Sequence, residues 1–258
     1  MIKKISILLF LFPIILSAQY GESIRTARPG QAIGAFTLGK NVFQMQNGYG
    51  FTYLRNNNLP TAIHMNKRFG QNTVLRLGLT EHFEISGVVN WSTQTVKIDE
   101  ARSSIGGISG TQIGARYNFT TNDGLLPTLG LQYRALLKLK SAAFQTNNIG
   151  SRFILSTGNK LSDNWSFTTN WILTFDGFQN DPDAAYVFNT SYSISDKWST
   201  FFELFGSFNP MLVNFDTGLG YLVNKDFKLD LSAGYYDYDS SLDYFVDFGL
   251  SWRFDWRK

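Results

Sequence analysis

The chain has 258 residues, a formal charge of +3, 16% aromatic residues, 23 glycines against 6 prolines, and no cysteine. That near-neutral balance offers no field for nucleic acid, the missing cysteine excludes disulfide stapling and a lipid-anchored lipoprotein, and the aromatic and glycine bias favours strands and turns. Length alone leaves one large all-β unit or two small domains open.

In chain order, residues 1–18 read as a secretion signal. Lys3 and Lys4 form a positive start, Ile5 to Ile15 an apolar core, and Leu16, Ser17 and Ala18 a small-residue cleavage site. The apolar run is shorter than the roughly 20 residues of a spanning helix. Cleavage after Ala18 is expected; losing Lys3 and Lys4 takes the charge from +3 to +1. Residues 19–41 follow as a segment that is periplasmic or lines a lumen, and 42–258 form the main unit.

From Val42 to Tyr53 the odd positions carry Phe43, Met45, Asn47, Tyr49, Phe51 and Tyr53, and the even ones Val42, Gln44, Gln46, Gly48, Gly50 and Thr52. Successive side chains leave a strand on opposite faces, so one face is greasy and the other polar and small. The alternation returns at Leu75 to Leu79, Phe83 to Trp91, Ile113 to Phe119 and Leu129 to Leu137, less cleanly at Ser151 to Gly158, and again at Trp165 to Phe175. The last third repeats it at Tyr186 to Tyr192, Trp198 to Leu204, Phe215 to Tyr221, Phe227 to Tyr235 and Tyr244 to Trp256, with Phe201 and Phe205 breaking their segment inward.

A soluble sandwich also has one apolar face per strand. Three features favour a barrel instead. Many segments approach the about 10 residues that cross a bilayer at a steep tilt. Tight connections (Thr80 to His82, Thr121 to Leu125, Asn159 to Asn164, Ile194 to Lys197, Asn224 to Asp226) alternate with longer ones (Leu54 to Asn72, Ser92 to Gly107, Leu139 to Asn148, Asp176 to Asp183, Tyr236 to Leu242). Aromatics such as Phe83, Tyr117, Trp165, Trp198, Phe227 and Trp252 gather beside the tight turns, and a thinner set (Tyr53, Trp91, Trp171, Phe175, Tyr235) lies at the other ends. Rings of this kind suit the headgroup level of a membrane. The expectation is a transmembrane antiparallel up-and-down β-barrel of about twelve strands, in a bacterial outer membrane, with both termini periplasmic.

Further residues carry a resemblance. Arg28-Pro29-Gly30-Gln31, the run from Val42 to Tyr49, Leu77 to Ile85, Gly114 to Tyr117, Lys160 to Trp165, Glu203 within Phe201 to Gly206, and Leu229 to Gly234 together resemble the outer-membrane barrel family named for the MetA pathway of phenol degradation. The resemblance implies passage of small molecules, with aromatic or hydrophobic cargo, and brings no catalytic residues. The end of the chain resembles the terminal strand read by barrel-assembly machinery, except that Arg257 and Lys258 follow Trp256. Expected partners are outer-membrane lipid, a small solute and that machinery, with no nucleic acid, metal or cofactor.

The inward phase holds the candidate site. Arg76, Arg116, Arg134, Lys138 and Arg152, with Glu84, fall on the second to sixth segments, and Glu203, Asp216, Asp230 and Asp247, with Lys228 and Arg253, on the ninth to twelfth. In a ring of twelve these sets face each other. They either set a transverse field across a wet lumen or pair off inside a packed one. Two other functions are open: a lipid hydrolase, which needs a serine with a histidine in reach, and a non-conducting structural barrel. Only His64 and His82 exist, expected in an outer loop and in a tight turn on the opposite side. The acids Asp176, Asp181, Asp183, Asp237, Asp239 and Asp243 read as solvated outer loops.

Overall fold

The computed structural model describes residues 23–54, 63–98, 101–121, 126–178, 181–238 and 241–257. The expected signal segment 1–18 and most of the turn at Thr121 to Leu125 lie outside them.

Twelve strands follow one another: β1 Val42–Leu54, β2 Ile63–Gly78, β3 Phe83–Ile98, β4 Ala101–Thr120, β5 Thr128–Leu137, β6 Gly150–Lys160, β7 Trp165–Phe175, β8 Asp183–Ser193, β9 Trp198–Ser207, β10 Asn214–Asn224, β11 Phe227–Tyr238 and β12 Ser241–Asp255. Each pairs antiparallel with its sequence neighbours, and β1 closes on β12, from Val42 opposite Asp255 to Tyr53 opposite Tyr244. Closure matters physically because an open edge facing hydrocarbon would leave a row of unpaired backbone groups.

The ring is inside out relative to a soluble protein. Gln44, Asn170, Glu203, Asp216 and Ser251 are fully buried, whereas Ile113, Leu231, Phe248 and Trp252 are each about half exposed. The period-two pattern therefore turns its oily residues outward. Arginine placed at mid-height on that face, as in Leu231→Arg, is expected to cost about 2–4 kcal/mol of folding stability in a bilayer. Equilibrium unfolding in lipid vesicles checks this, and an unchanged midpoint would place Leu231 off the lipid face.

Three tight turns share one geometry. The N–H groups of Leu79, Leu161 and Ile194 donate to the carbonyls of Phe83, Trp165 and Trp198, each at 2.9 Å, which sets an aromatic residue at the base of the next strand. There the rings meet in pairs, Trp165 with Tyr192 at 4.8 Å and Trp198 with Tyr221 at 4.6 Å. At the other end Tyr53 meets Tyr244 at 5.2 Å and Phe215 meets Tyr235 at 5.6 Å.

The strands depart from the sequence expectation on one side of the barrel. Leu54 to Asn72 and Ser92 to Gly107, expected as loops, are largely strand: β2 begins at Ile63, β3 continues to Ile98 and β4 begins at Ala101. Thr95 pairs with Ser104 and Lys97 with Arg102 beyond a register shift at Asn90 and Trp91. Main-chain pairing continues there while both faces turn polar, so the alternation that marks a strand fades. Tyr236 to Leu242 is shortened in the same way, because β11 runs to Tyr238 and β12 starts at Ser241. Asp243 is thus a buried strand residue, not a loop acid.

Candidate functional site: the lumen

At the end with the tight turns, the lumen is filled by residues 23–41. An irregular backbone enclosed by the wall has no ladder to satisfy its N–H and C=O groups, so side chains must do so. The inward residues supply those partners around almost the whole ring. Ile24 N–H donates to Lys225 O at 2.7 Å, and Gln44 Nε2 on β1 donates to the Arg25 carbonyl at 3.0 Å. Glu203 on β9 accepts from the N–H groups of Gln31 and Ala32, the latter at 2.9 Å, and from Asn189 Nδ2 at 2.8 Å. Asn170 on β7 holds Ile33 from both sides, accepting its N–H at 2.7 Å and donating to its carbonyl at 2.8 Å. Asn118 Nδ2 then donates to Ala35 O at 3.1 Å, Arg116 Nη1 to Phe36 O at 3.0 Å, and Leu38 N–H to Glu84 Oε2 at 3.0 Å.

Inward glycines give this segment room. Gly78 lies under the Gly39 carbonyl and Gly130 under that of Ala35, with no space for a side chain, and the Arg28 guanidinium rests between Gly48 and Gly249. Within the segment, Gly30 has φ 90°, a left-handed turn that a side chain disfavours, and it packs against Phe201 and Glu203.

Four groups stand out among the candidate charges. Arg76 grips Glu84 with two hydrogen bonds of 2.9 and 2.7 Å, and Arg116 approaches the same carboxylate at 3.6 Å. On the opposite wall Asp230 pairs with Arg28 of the lumen segment at 3.2 Å, Lys228 Nζ donates to the Arg28 carbonyl at 3.2 Å, and Arg253 pairs with Asp226 at 2.6 Å. These groups largely satisfy one another. Arg134 and Arg152 differ. Their partners are neutral, Gln112 Oε1 at 3.3 Å and Thr174 Oγ1 at 3.0 Å, and neither forms an ion pair among the described residues. Asp216 is fully buried directly opposite Glu203, and the two carboxyl groups are close enough to share a hydrogen bond.

Lys138 is a correction. It lies just past the end of β5, exposed at the rim, and donates to the Asn147 carbonyl at 2.9 Å, so it does not face the lumen. His64 is also displaced, since its backbone belongs to the start of β2 and not to a loop. His82 lies in the turn at the far end of that strand, with Nδ1 3.4 Å from Asn118 Oδ1. The two histidines are therefore a strand length apart.

Beyond the lumen segment, toward the end with the long connections, a cavity of about 830 Å³ opens between Arg134 and Arg152 on one side and Phe205 and Tyr236 on the other, with Arg28, Gly30 and Ile33 beneath. A second space of about 210 Å³ lies on the turn side, lined by Pro29, Phe36, Thr168 and Thr200 among others. The irregular chain around residues 27–34 lines both spaces, with Ala27 and Arg28 common to the two. Sequence reading did not single out Phe245, which is buried and packs its ring 4.6 Å from Tyr236. Its even number between the outward Tyr244 and Val246 was the available signal.

Residues 26–254 match the family described as "Putative MetA-pathway of phenol degradation". The chain belongs to that family. An outer membrane channel from Pseudomonas putida F1 superposes with a TM-score of 0.64 at 11% identity, covering 88% of this chain and 99% of the other. The KdgM porin gives 0.54 at 14% identity over 81% and 99%, and the toluene transporter TbuX of Ralstonia pickettii 0.51 at 10% over 84% and 90%. No curated protein sequence matches the chain. At these identities the likeness establishes the fold, that of outer-membrane barrels.

Proposed function

We propose that this member of the family is an outer-membrane channel for small molecules, entered from the end with the long connections and closed toward the periplasm by residues 23–41. One observation carries the reading: two spaces lie in the same lumen on either side of a segment with no secondary structure of its own. The tight-turn end, which holds Ile24 and Arg257, faces the periplasm in this reading, as short turns do in such barrels. The family's description and a toluene-transporting neighbour of the same fold support an aromatic or otherwise hydrophobic cargo. Lipid covers the oily band, and the barrel-assembly machinery engages β12 during biogenesis. His64, at the start of β2, and His82, in the turn beyond its other end, cannot share one site.

Purified protein in planar bilayers tests the proposal. Discrete current steps are expected. Silent bilayers from folded protein, including a form lacking the lumen segment, would favour a non-conducting structural barrel. The selectivity of the current should shift toward cations when Arg134 and Arg152 are both replaced by glutamate, since both line the larger cavity and neither forms an ion pair among the described residues.

A further inference from the structure

Resting on the channel reading, we propose that the larger cavity binds a small organic monoanion with an apolar, ring-sized body, such as an aromatic carboxylate. Its charge lies against Arg134 and Arg152, and its body against the wall around Phe205 and Tyr236.

Register brings the cationic pair together: Arg134 on β5 stands directly opposite Arg152 on β6. Like charges at directly opposed positions of an antiparallel pair repel, and here no acid intervenes. Asp183, whose charge reaches Arg152, is exposed at the start of β8 and makes no ion pair with it. Gln112 and Thr174 each occupy one donor, Arg134 Nε is buried without a partner, and both arginines line the cavity. Two adjacent guanidinium forks match a carboxylate in geometry and charge.

The opposite wall selects the rest of the ligand. Phe205, Tyr236 and Phe245 form a mutual ring cluster with centroid spacings of 5.7, 4.6 and 6.5 Å, extended by Val187 and Ile172. An inorganic anion gains nothing from that surface. A neutral hydrocarbon gains nothing from the arginines. Asp247 borders the cavity on the aromatic side and disfavours a second negative charge there. A volume of about 830 Å³ suits one small molecule and not an extended polymer.

Interruption of single-channel current by added solute discriminates the alternatives, with benzoate, acetate and benzyl alcohol as probes. Benzoate is expected to interrupt the current at about tenfold lower concentration than acetate, which lacks the ring, or benzyl alcohol, which lacks the charge. The Arg134→Gln/Arg152→Gln variant should bring benzoate to the level of benzyl alcohol, and Phe205→Ala should bring it to the level of acetate. Benzoate acting no better than either probe, or unaffected by the arginine changes, overturns the proposal while leaving the channel intact. Equilibrium dialysis of labelled benzoate against detergent-solubilised protein reads the site without any current. Saturable uptake lost in the double variant supports the site even if bilayers are silent, and no uptake overturns it.

Discussion

Excising residues 27–38 while keeping the flanking chain is expected to raise single-channel conductance several-fold and to remove most of its fluctuation. The segment spans the lumen, so its removal joins the two spaces that it now divides. The barrel itself should survive, because the excised residues contribute no rung to the ladder from β1 to β12. A milder change reaches the same seat. Gly130→Val pushes a side chain into the Ala35 carbonyl and should raise the open probability, whereas Gly70→Val, at an inward glycine with open space beside it, should not. Equal conductance in the excised and full-length proteins would show that the segment is not what limits flow.

The second large effect concerns Glu84, which neutralises two buried arginines. Glu84→Gln keeps the shape but leaves Arg76 and Arg116 facing each other, and it weakens the acceptor for Leu38 N–H. Removing one partner of a buried charge cluster costs about 3 kcal/mol, because the remaining charges stay desolvated and unpaired. The unfolding midpoint should fall accordingly in a heat-modifiability gel or a denaturant titration. Replacing Arg76, Glu84 and Arg116 together by leucine should recover much of that loss, since no charge is then left stranded. A Glu84→Gln protein as stable as the parent would mean that water already neutralises the cluster.

How far the molecule was readable from its residues depended on which solvent each segment meets. Where lipid lies on one side and lumen on the other, as from Phe43 to Tyr53 or Tyr244 to Trp256, the alternation is clean and the strand is legible. Where both faces are polar, as from Thr93 to Thr95 and from Arg102 to Ser104, pairing persists without a pattern, and a strand reads as a loop. Lys138 was misplaced because phase was counted past the point where β5 ends. Asn118 and Asn170 looked like ordinary inward polar residues, yet they clamp Ala35 and Ile33 from wall positions far away in sequence.

Alternation of oily and polar residues, turn spacing and ring placement determined by themselves a closed antiparallel barrel with a polar interior, because hydrocarbon admits a sheet only without free edges. Which of the inward charges cancel was decided only in three dimensions. Register sets Glu84 beside Arg76 and Arg116 and leaves Arg134 facing Arg152. The path of residues 23–41 was likewise a tertiary matter, since a segment without periodicity is placed by the wall groups that satisfy its backbone.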